Sequence, residues 1–277
     1  MQGVFADSLE VQDGDYEKAI KQVKNSVFRI AGPRGHGSGF LLADGYILTN
    51  RHVVQDNDYD LETTPTVIPF PFQNVPLLPL NISAVNDPNY EISTFVADDR
   101  TPPMKFRAVP VHLGNGSRAL HKDMALLQVP PDVRSKLPPM KPVTPVAPSV
   151  GRPVLVMGNP SDLTGHITSG RVSKSLMLDK GENPLWKDVP FVGTDAAING
   201  GNSGGPMFSL RKERLNGRAE LKTELIGMST YGYRGSAGMG GGIRGDYISY
   251  IATKLWGLNL MTQEQMNAYE KEFPNVK

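Results

Sequence analysis

A single serine lies in a glycine-rich string that could support nucleophilic catalysis. Residues 194–206 read TDAAINGGNSGGP, so Ser203 has a glycine directly after it and two glycines just before Asn202. A serine hydroxyl becomes an effective nucleophile when a base removes its proton, and acyl transfer also needs backbone N–H groups aimed at the developing oxyanion. The short pattern G-x-S-x-G also fits a plain glycine-rich turn. The longer string G-N-S-G-G-P is much rarer by chance. If Ser203 is a nucleophile, other parts of the chain must supply the base and the acid.

Two other residues could complete such a site. His52 directly follows the strand-like residues 46–49, and Asp123 directly precedes the apolar residues 124–127. Taken alone, each has a commoner explanation, since most histidines have ordinary surface or core roles and an aspartate before a strand usually serves a turn. The order of the three residues along the chain decides whether they belong together.

Only one serine-hydrolase order fits this chain. The α/β-hydrolases need a histidine after the serine, and no histidine follows Ser203. The subtilisin order needs an α/β scaffold, which the strand–turn pattern argues against. The order histidine, aspartate, serine is met by His52, Asp123 and Ser203, and it is typical of two β-barrels with the site in the crevice between them.

The surrounding pattern predicts an all-β fold, a double β-barrel with short N-terminal and C-terminal helices. Asp-Gly at residues 44–45 signals a hairpin, and the proline-rich residues 131–150 have the composition of a linker. The predicted divisions are a helical extension (1–24), a first barrel (25–130), the linker (131–150), a second barrel (151–245) and C-terminal helices (246–277).

A proline-rich insertion, about residues 55–92, follows His52 directly. Prolines at 65, 69, 71, 76 and 79 exclude a helix or a central strand there. The insertion either covers a sheet edge or shapes a binding groove beside the histidine, and the sequence leaves both open.

Composition limits the partners. The 29 basic and 28 acidic residues nearly balance, which gives no electrostatic reason to expect nucleic acid. The absence of cysteine rules out disulfides and thiolate metal sites. The N-terminus lacks a signal-peptide pattern and no run of about 18 apolar residues occurs. We therefore expect no metal or cofactor, no membrane span and a cytoplasmic location.

Several strings together resemble the protease domain of HtrA-type (Deg) serine proteases, which belong to the chymotrypsin clan. They are Gly37–Phe40, Ile47–Val54, Asp123–Leu127, Gly158–Pro160, Thr168–Gly170 and Thr194–Pro206. The resemblance covers roughly residues 16–255. It implies a chymotrypsin-like double β-barrel and a serine endopeptidase acting on proteins or peptides.

The resemblance also implies residue roles. His52 is the base, Asp123 orients it, and Ser203 attacks the peptide carbonyl. The N–H groups of Gly201 and Ser203 form the oxyanion hole, and the residues expected to bind substrate are Ala197, Ile198, Thr230, Tyr231 and Gly232. Because the pocket residues carry no charge, we expect cleavage after small or medium aliphatic residues. An acidic preference is expected if the glycine-rich residues 235–245 bring Arg234 or Arg244 over the pocket.

The chain departs from the family pattern in two places. Only about 22 residues follow Leu255, too few for the PDZ domain that usually follows the protease, and the gap from His52 to Asp123 is unusually long. The resemblance therefore implies the chemistry without PDZ-driven activation. Two other readings are a catalytically silent peptide-binding or scaffold protein and a viral or phage-type processing protease that cuts a few designated sites.

Overall fold

A computed structural model describes residues 10–32, 35–54, 90–94, 103–110, 120–137, 145–160, 165–178, 186–232 and 239–274. The helices in these ranges are α1 (Asp13–Val23), α2 (Arg51–Val54), α3 (Pro131–Arg134), α4 (Gly245–Lys254) and α5 (Gln263–Glu272). The strands are β1 (Val27–Gly32), β2 (Gly35–Ala43), β3 (Tyr46–Thr49), β4 (Tyr90–Thr94), β5 (Lys105–Pro110), β6 (Leu120–His121), β7 (Met124–Gln128), β8 (Pro153–Gly158), β9 (His166–Leu178), β10 (Pro190–Thr194), β11 (Pro206–Leu215), β12 (Arg218–Gly232) and β13 (Gly240–Arg244).

The strands form two barrel-like sheets, which confirms the predicted all-β double barrel. The first sheet has the order β3-β2-β1-β4-β5-β7-β6, and an additional pairing of β3 with β7 brings its ends together. The second sheet closes in the order β10-β13-β12-β11-β8-β9. None of the helices in the described part of the chain is both long and apolar enough to cross a membrane.

Strands β2 and β3 of the first sheet are apolar on both faces because both of their faces are largely buried. Successive side chains of a strand point to opposite faces. Leu41 and Ile47 lie in the core of the first sheet, whereas their neighbours Phe40 and Leu48 join a larger cluster that includes Phe208 of the second barrel. Strands β2 and β3 therefore carry nearly continuous apolar runs, and the two barrels share one core between them.

Strands β11 and β12 form a long hairpin that includes the polar residues 211–222. It is paired from Pro206 opposite Met228 to Leu215 opposite Arg218. Cross-strand ion pairs stabilise it, including Arg211 Nη2 to Glu224 Oε1 at 2.9 Å. The insertion predicted over 55–92 lies outside the described residues except for its last three, which begin β4.

The terminal helices pack on the barrels as predicted. In α1, Ala19 and Val23 enter the larger core cluster, and Lys212 Nζ lies 2.8 Å from Asp15 Oδ2. Helix α5 begins at a capping box, with Gln265 N donating to Thr262 Oγ1 at 3.2 Å. Arg244 is the N-cap residue of α4, and Asp246 lies in the first turn of that helix. The domain boundary at 131–150 stays a prediction.

The turn before β7 is tied to the C-terminal helix α4. His121 Nε2 lies 2.8 Å from the Tyr247 hydroxyl, and Lys122 between His121 and Asp123 has a φ of 53°. A non-glycine residue in this left-handed conformation costs about 1 kcal/mol, so the turn needs support from its surroundings. Burial, aided by the charge of Lys122, lowers the pKa of His121 to about 4.

The lowered pKa of His121 predicts that the folded protein loses stability at acid pH. Because the folded-state pKa lies below the ordinary value of about 6.5, the unfolded chain binds more protons between these two values. Stability is therefore fully present above about pH 6.5 and falls as the pH drops towards about 4. Thermal melting of the wild type and of His121→Gln between pH 7 and pH 4.5 checks this.

The wild type should lose more melting temperature over this range than His121→Gln. The matched control is His166→Gln, since His166 is an exposed residue at the start of β9. Parallel melting curves of the wild type and His121→Gln would contradict the prediction.

Candidate active site

The strand register of the first sheet brings His52 next to Asp123. Thr49 of β3 lies opposite Ala125 of β7, so the residues just after β3 meet those just before β7. His52 Nδ1 lies 3.0 Å from Asp123 Oδ1 and 2.9 Å from Oδ2, and the backbone N–H of His52 donates to Oδ1 at 3.1 Å. The carboxylate therefore orients both the ring and the backbone of the histidine.

Burial differs sharply between these two side chains. The Asp123 side chain is 1% exposed, and that of His52 is 41% exposed. A buried carboxylate needs several donors to replace the water it has lost. Asn50 Nδ2 donates to the backbone oxygen of Asp123 at 3.0 Å and lies 3.4 Å from Oδ2, and Trp186 Nε1 donates to Oδ2 at 3.1 Å. The pair thus joins a fixed, buried acid to a base that solvent and ligands can reach.

Ser203 lies in a turn that is fastened to both barrels. The N–H of Asn202 donates to Asn199 O at 3.0 Å, and that of Gly205 donates to Asn202 O at 2.8 Å. Ser38 N of β2 donates to Ser203 O at 2.8 Å. Ser203 is therefore held next to the strand that pairs with β3, close to the turn that carries His52.

Glycine is required at two positions beside Ser203 because the backbones come too close for a side chain. Gly204 has a φ of +83°, and a Cβ there would lie 2.1 Å from Ser38 O and 2.4 Å from Thr49 Oγ1. Gly201 has a φ of +96°, and its Cβ would lie 2.3 Å from Asn159 O. A side chain at Gly204 would push the turn away from the first barrel, and one at Gly201 would push it away from Asn159.

Sequence reasoning gave no role to two side chains that shape this turn. Ser38 Oγ donates to Gly201 O at 2.8 Å, and it accepts the N–H of Asn159 at 3.0 Å. Asn159 Nδ2 also donates to Phe28 O at 3.3 Å. Ser38 and Asn159 lie inside the strings G-S-G-F and G-N-P, so their place in a motif was the one available signal, and it did not reveal their hydrogen bonds.

The residues expected to bind a peptide backbone lie together at the end of β12. The pairing of β12 with β11 ends at Met228, whereas its pairing with β13 continues to Gly232. The Thr230 hydroxyl donates to Met228 O at 2.9 Å and lies 3.3 Å from Asn50 Nδ2, so it contacts a residue that also binds Asp123. Tyr231 packs its ring against Trp186, with centroids 5.6 Å apart.

The two expected pocket residues upstream of Ser203 differ in their surroundings. Ala197 is exposed, and its carbonyl accepts a 2.8 Å hydrogen bond from Thr168 Oγ1. Ile198 is partly buried. A Cβ on Gly240 would lie 2.8 Å from Ile198 Cδ1, and one on Gly232 would lie 2.5 Å from Ile198 O. The Ile198 side chain therefore lies against Gly240 and its backbone carbonyl lies against Gly232, and the uncharged surface that these three residues form is called the slot below.

Metal ligands are not grouped at this site. Among the described residues, no cluster of three or more histidine and acidic side chains lies close enough together to hold a metal ion.

Comparisons with known proteins agree with this geometry. The family model described as "Trypsin-like peptidase domain" matches residues 37–217. A protein of Ectopseudomonas mendocina named "Probable periplasmic serine endoprotease DegP-like" is 32% identical over 76% of this chain and 35% of its own length. A relative with the same printed name from Hahella chejuensis is 30% identical over 72% of this chain and 33% of its own length. The chain thus spans about a third of the length of the curated relatives it matches.

Solved structures share the fold. The serine endoprotease from Yersinia pestis is 24% identical, with a TM-score of 0.51 over 93% of this chain and 68% of that one. The HtrA-type protease AlgW with a tripeptide is 19% identical, with a TM-score of 0.56 over 88% of this chain and 64% of that one. At these identities the likeness concerns the fold alone. Together with the sequence relatives, it confirms the resemblance to HtrA-type proteases.

One sequence-based expectation is contradicted by these relatives. A cytoplasmic location was expected because the N-terminus lacks a signal-peptide pattern. The relatives are named periplasmic endoproteases, so the cytoplasmic prediction is wrong.

Because the backbone at Gly204 lies so close to the first barrel, we expect an alanine substitution there to lower the free energy of unfolding by an unusually large amount. Gly204→Ala introduces both backbone strain and a clash with Ser38 O and Thr49 Oγ1. Gly217→Ala is the matched control, because Gly217 has nearly the same φ, +81°, with no atom within 4 Å of the added Cβ. Chemical denaturation should show a loss of about 1–2 kcal/mol for Gly217→Ala. The loss for Gly204→Ala should be larger by about 2 kcal/mol or more, and equal losses would show that the close approach is not real.

Proposed function

Because the chain belongs to the trypsin-like peptidase domain family, we propose that it is a serine endopeptidase that uses His52, Asp123 and Ser203. The observation that carries this proposal is the hydrogen-bonded pair of His52 Nδ1 with the buried Asp123 carboxylate at 2.9 Å. The hydrogen bond from Ser38 N to Ser203 O also supports it, because it ties the turn of the proposed nucleophile to the barrel that carries His52.

In the proposed reaction, the Asp123 carboxylate keeps the proton of His52 on Nδ1, which leaves the lone pair on Nε2. That nitrogen takes the proton of Ser203 Oγ as the oxygen attacks the peptide carbonyl carbon. The C–N bond then breaks, the amine leaves with the proton from His52, and an acyl-enzyme remains. Water, deprotonated by the same imidazole, attacks the ester and releases the acid and Ser203.

The proposed oxyanion hole uses two backbone N–H groups that are free of other hydrogen bonds within the described residues. Within the turn, the N–H groups of Asn202, Gly204 and Gly205 donate to other backbone oxygens. Among the described residues, neither Gly201 nor Ser203 donates its N–H to another group of the protein. Their availability supports their role as the oxyanion hole, where removing one donor typically costs a factor of about 100–1,000 in rate.

The binding cleft favours small aliphatic side chains before the scissile bond. The slot beside Ile198, Gly232 and Gly240 is apolar, so a buried lysine or arginine would cost several kcal/mol, whereas a valine or leucine gains about 1.5–3 kcal/mol by burial. Arg244, considered above as a source of acidic preference, is buried and bonded to Asp246 Oδ1 at 3.0 Å. Arg234 lies outside the described residues. The substrate pairs with the segment Thr230–Gly232 and so adds an antiparallel strand to the sheet.

The names of the relatives support two further parts of the proposal. They are named serine endoproteases and periplasmic, which supports protein substrates and a periplasmic location for this chain. Cut-site mapping distinguishes a protease of broad range from one that processes a few sites.

The first test asks whether Ser203 is an activated nucleophile. A fluorophosphonate probe should label the wild type, and Ser203→Ala should lose labelling and at least about 1,000-fold in peptidase rate. Ser209→Ala is the matched control, because Ser209 is buried in the next strand with a hydroxyl that has no partner in the described structure. Unlabelled, inactive wild type with a normal melting curve would favour the silent scaffold instead.

The second test concerns the slot. Mass-spectrometric mapping of cuts in an unfolded protein should show Val, Ala, Leu, Ile or Met before the bond. Ile198→Ala shortens a side chain that lines the slot and so enlarges the space for the substrate side chain. Cleavage after Phe should therefore increase relative to cleavage after Val. A dominant lysine or arginine before the cut, or an unchanged Phe-to-Val ratio in the variant, would show that Ile198 does not line the pocket.

A further inference from the structure

One donor to the buried acid comes from a residue that the motifs do not include. Trp186 lies just before β10, and its indole N–H donates to Asp123 Oδ2 at 3.1 Å. The sequence has two tryptophans, and the other, Trp256, is buried with an indole nitrogen that has no hydrogen-bond partner in the described structure. The two tryptophans therefore differ, because the indole N–H of Trp186 is hydrogen-bonded to Asp123 and that of Trp256 is not.

The Trp186 indole N–H and His52 Nδ1 share one oxygen of Asp123. Oδ2 lies 2.9 Å from His52 Nδ1, and Oδ1 accepts the backbone N–H of His52. The other side-chain donor near Oδ2, Asn50 Nδ2, is 3.4 Å away, which is a long contact. Trp186 thus supplies the better of these two additional hydrogen bonds, and it restrains rotation of the carboxylate about its Cβ–Cγ bond.

Aromatic packing fixes the indole and connects it to the substrate side of the cleft. The Trp186 ring lies 6.0 Å from the ring of Phe191 in β10 and 5.6 Å from that of Tyr231 in β12. Phe191 and Tyr231 also pack on each other, with centroids 5.5 Å apart. Such aromatic clusters hold their rings in defined orientations, so the direction of the N–H is set by the second barrel although its acceptor belongs to the first.

We propose that Trp186 is a positioning residue of the catalytic triad. Its indole N–H holds the Asp123 carboxylate in the orientation that binds the imidazole, and the ring cluster with Phe191 and Tyr231 transmits the position of the second barrel to the acid of the first. This inference rests on the proposed peptidase function.

The test compares two matched substitutions, Trp186→Phe and Trp256→Phe. Each removes one indole N–H and keeps an aromatic ring, but only the first removes a hydrogen bond to Asp123. We expect kcat on a peptide ester to fall about 10-fold or more for Trp186→Phe, since a hydrogen bond to a charged group is lost, with KM unchanged. Trp256→Phe should behave as the wild type.

The pH profile separates positioning from a merely structural role. Without the indole donor, more negative charge remains on the oxygen that faces His52, which favours the imidazolium. The acid limb of the kcat profile should therefore move to higher pH in Trp186→Phe and stay in place in Trp256→Phe. Equal kcat values and equal profiles in both variants, or a raised KM with unchanged kcat, would overturn the proposal.

A second measurement does not depend on the folding of Trp186→Phe. In Trp256→Phe the remaining indole N–H signal in a ¹⁵N-correlated NMR spectrum belongs to Trp186. It should shift as the pH passes through the acid limb, because His52 and the indole share one carboxylate, and an unmoved signal would contradict the contact. Fluorophosphonate labelling of the wild type is the parallel measurement. If the wild type is labelled and Trp186→Phe has the kcat and pH profile of the wild type, only this inference is contradicted. If the wild type is not labelled, the peptidase function and this inference are both contradicted.

Discussion

The hydrogen bond from Ser38 N to Ser203 O joins the two barrels at the point where the chemistry is proposed to occur. His52 and Asp123 belong to one barrel and Ser203 to the other, so neither barrel holds a complete set of reacting groups. A close backbone approach solves this problem, because glycine at position 204 lets the turn come within hydrogen-bonding distance of β2. The site depends on this junction more than on any single side chain within it.

Burial of the Asp123 carboxylate is the second constraint. A charged group with 1% exposure is tolerated only when donors surround it. Two of its donors are the backbone N–H and the Nδ1 of His52, and one is the indole N–H of Trp186 from the other barrel. The same carboxylate that orients the base therefore also contributes to holding the barrels together, which explains why its environment is assembled from both sheets.

The sequence predicted the fold because the fold depends largely on local signals. Periodicity and turn residues located the strands, and the chain order of His52, Asp123 and Ser203 excluded the competing scaffolds. Hydrogen bonds between distant segments have no such signal. Ser38 to Gly201 and Trp186 to Asp123 join residues 163 and 63 positions apart, and nothing in the intervening sequence indicates them. The hairpin over 211–222 was missed for a related reason, since its polar side chains pair with one another across two strands instead of alternating with apolar ones.

The tie between His121 and Tyr247 bears on the order in which parts of the first barrel gain support during synthesis. Asp123 follows a strained residue, Lys122, and the turn that holds both is fastened to helix α4, which leaves the ribosome more than a hundred residues after it. A nascent chain that ends before α4 therefore lacks this anchor. The turn before β7 gains its full support only when one of the last helices has been made.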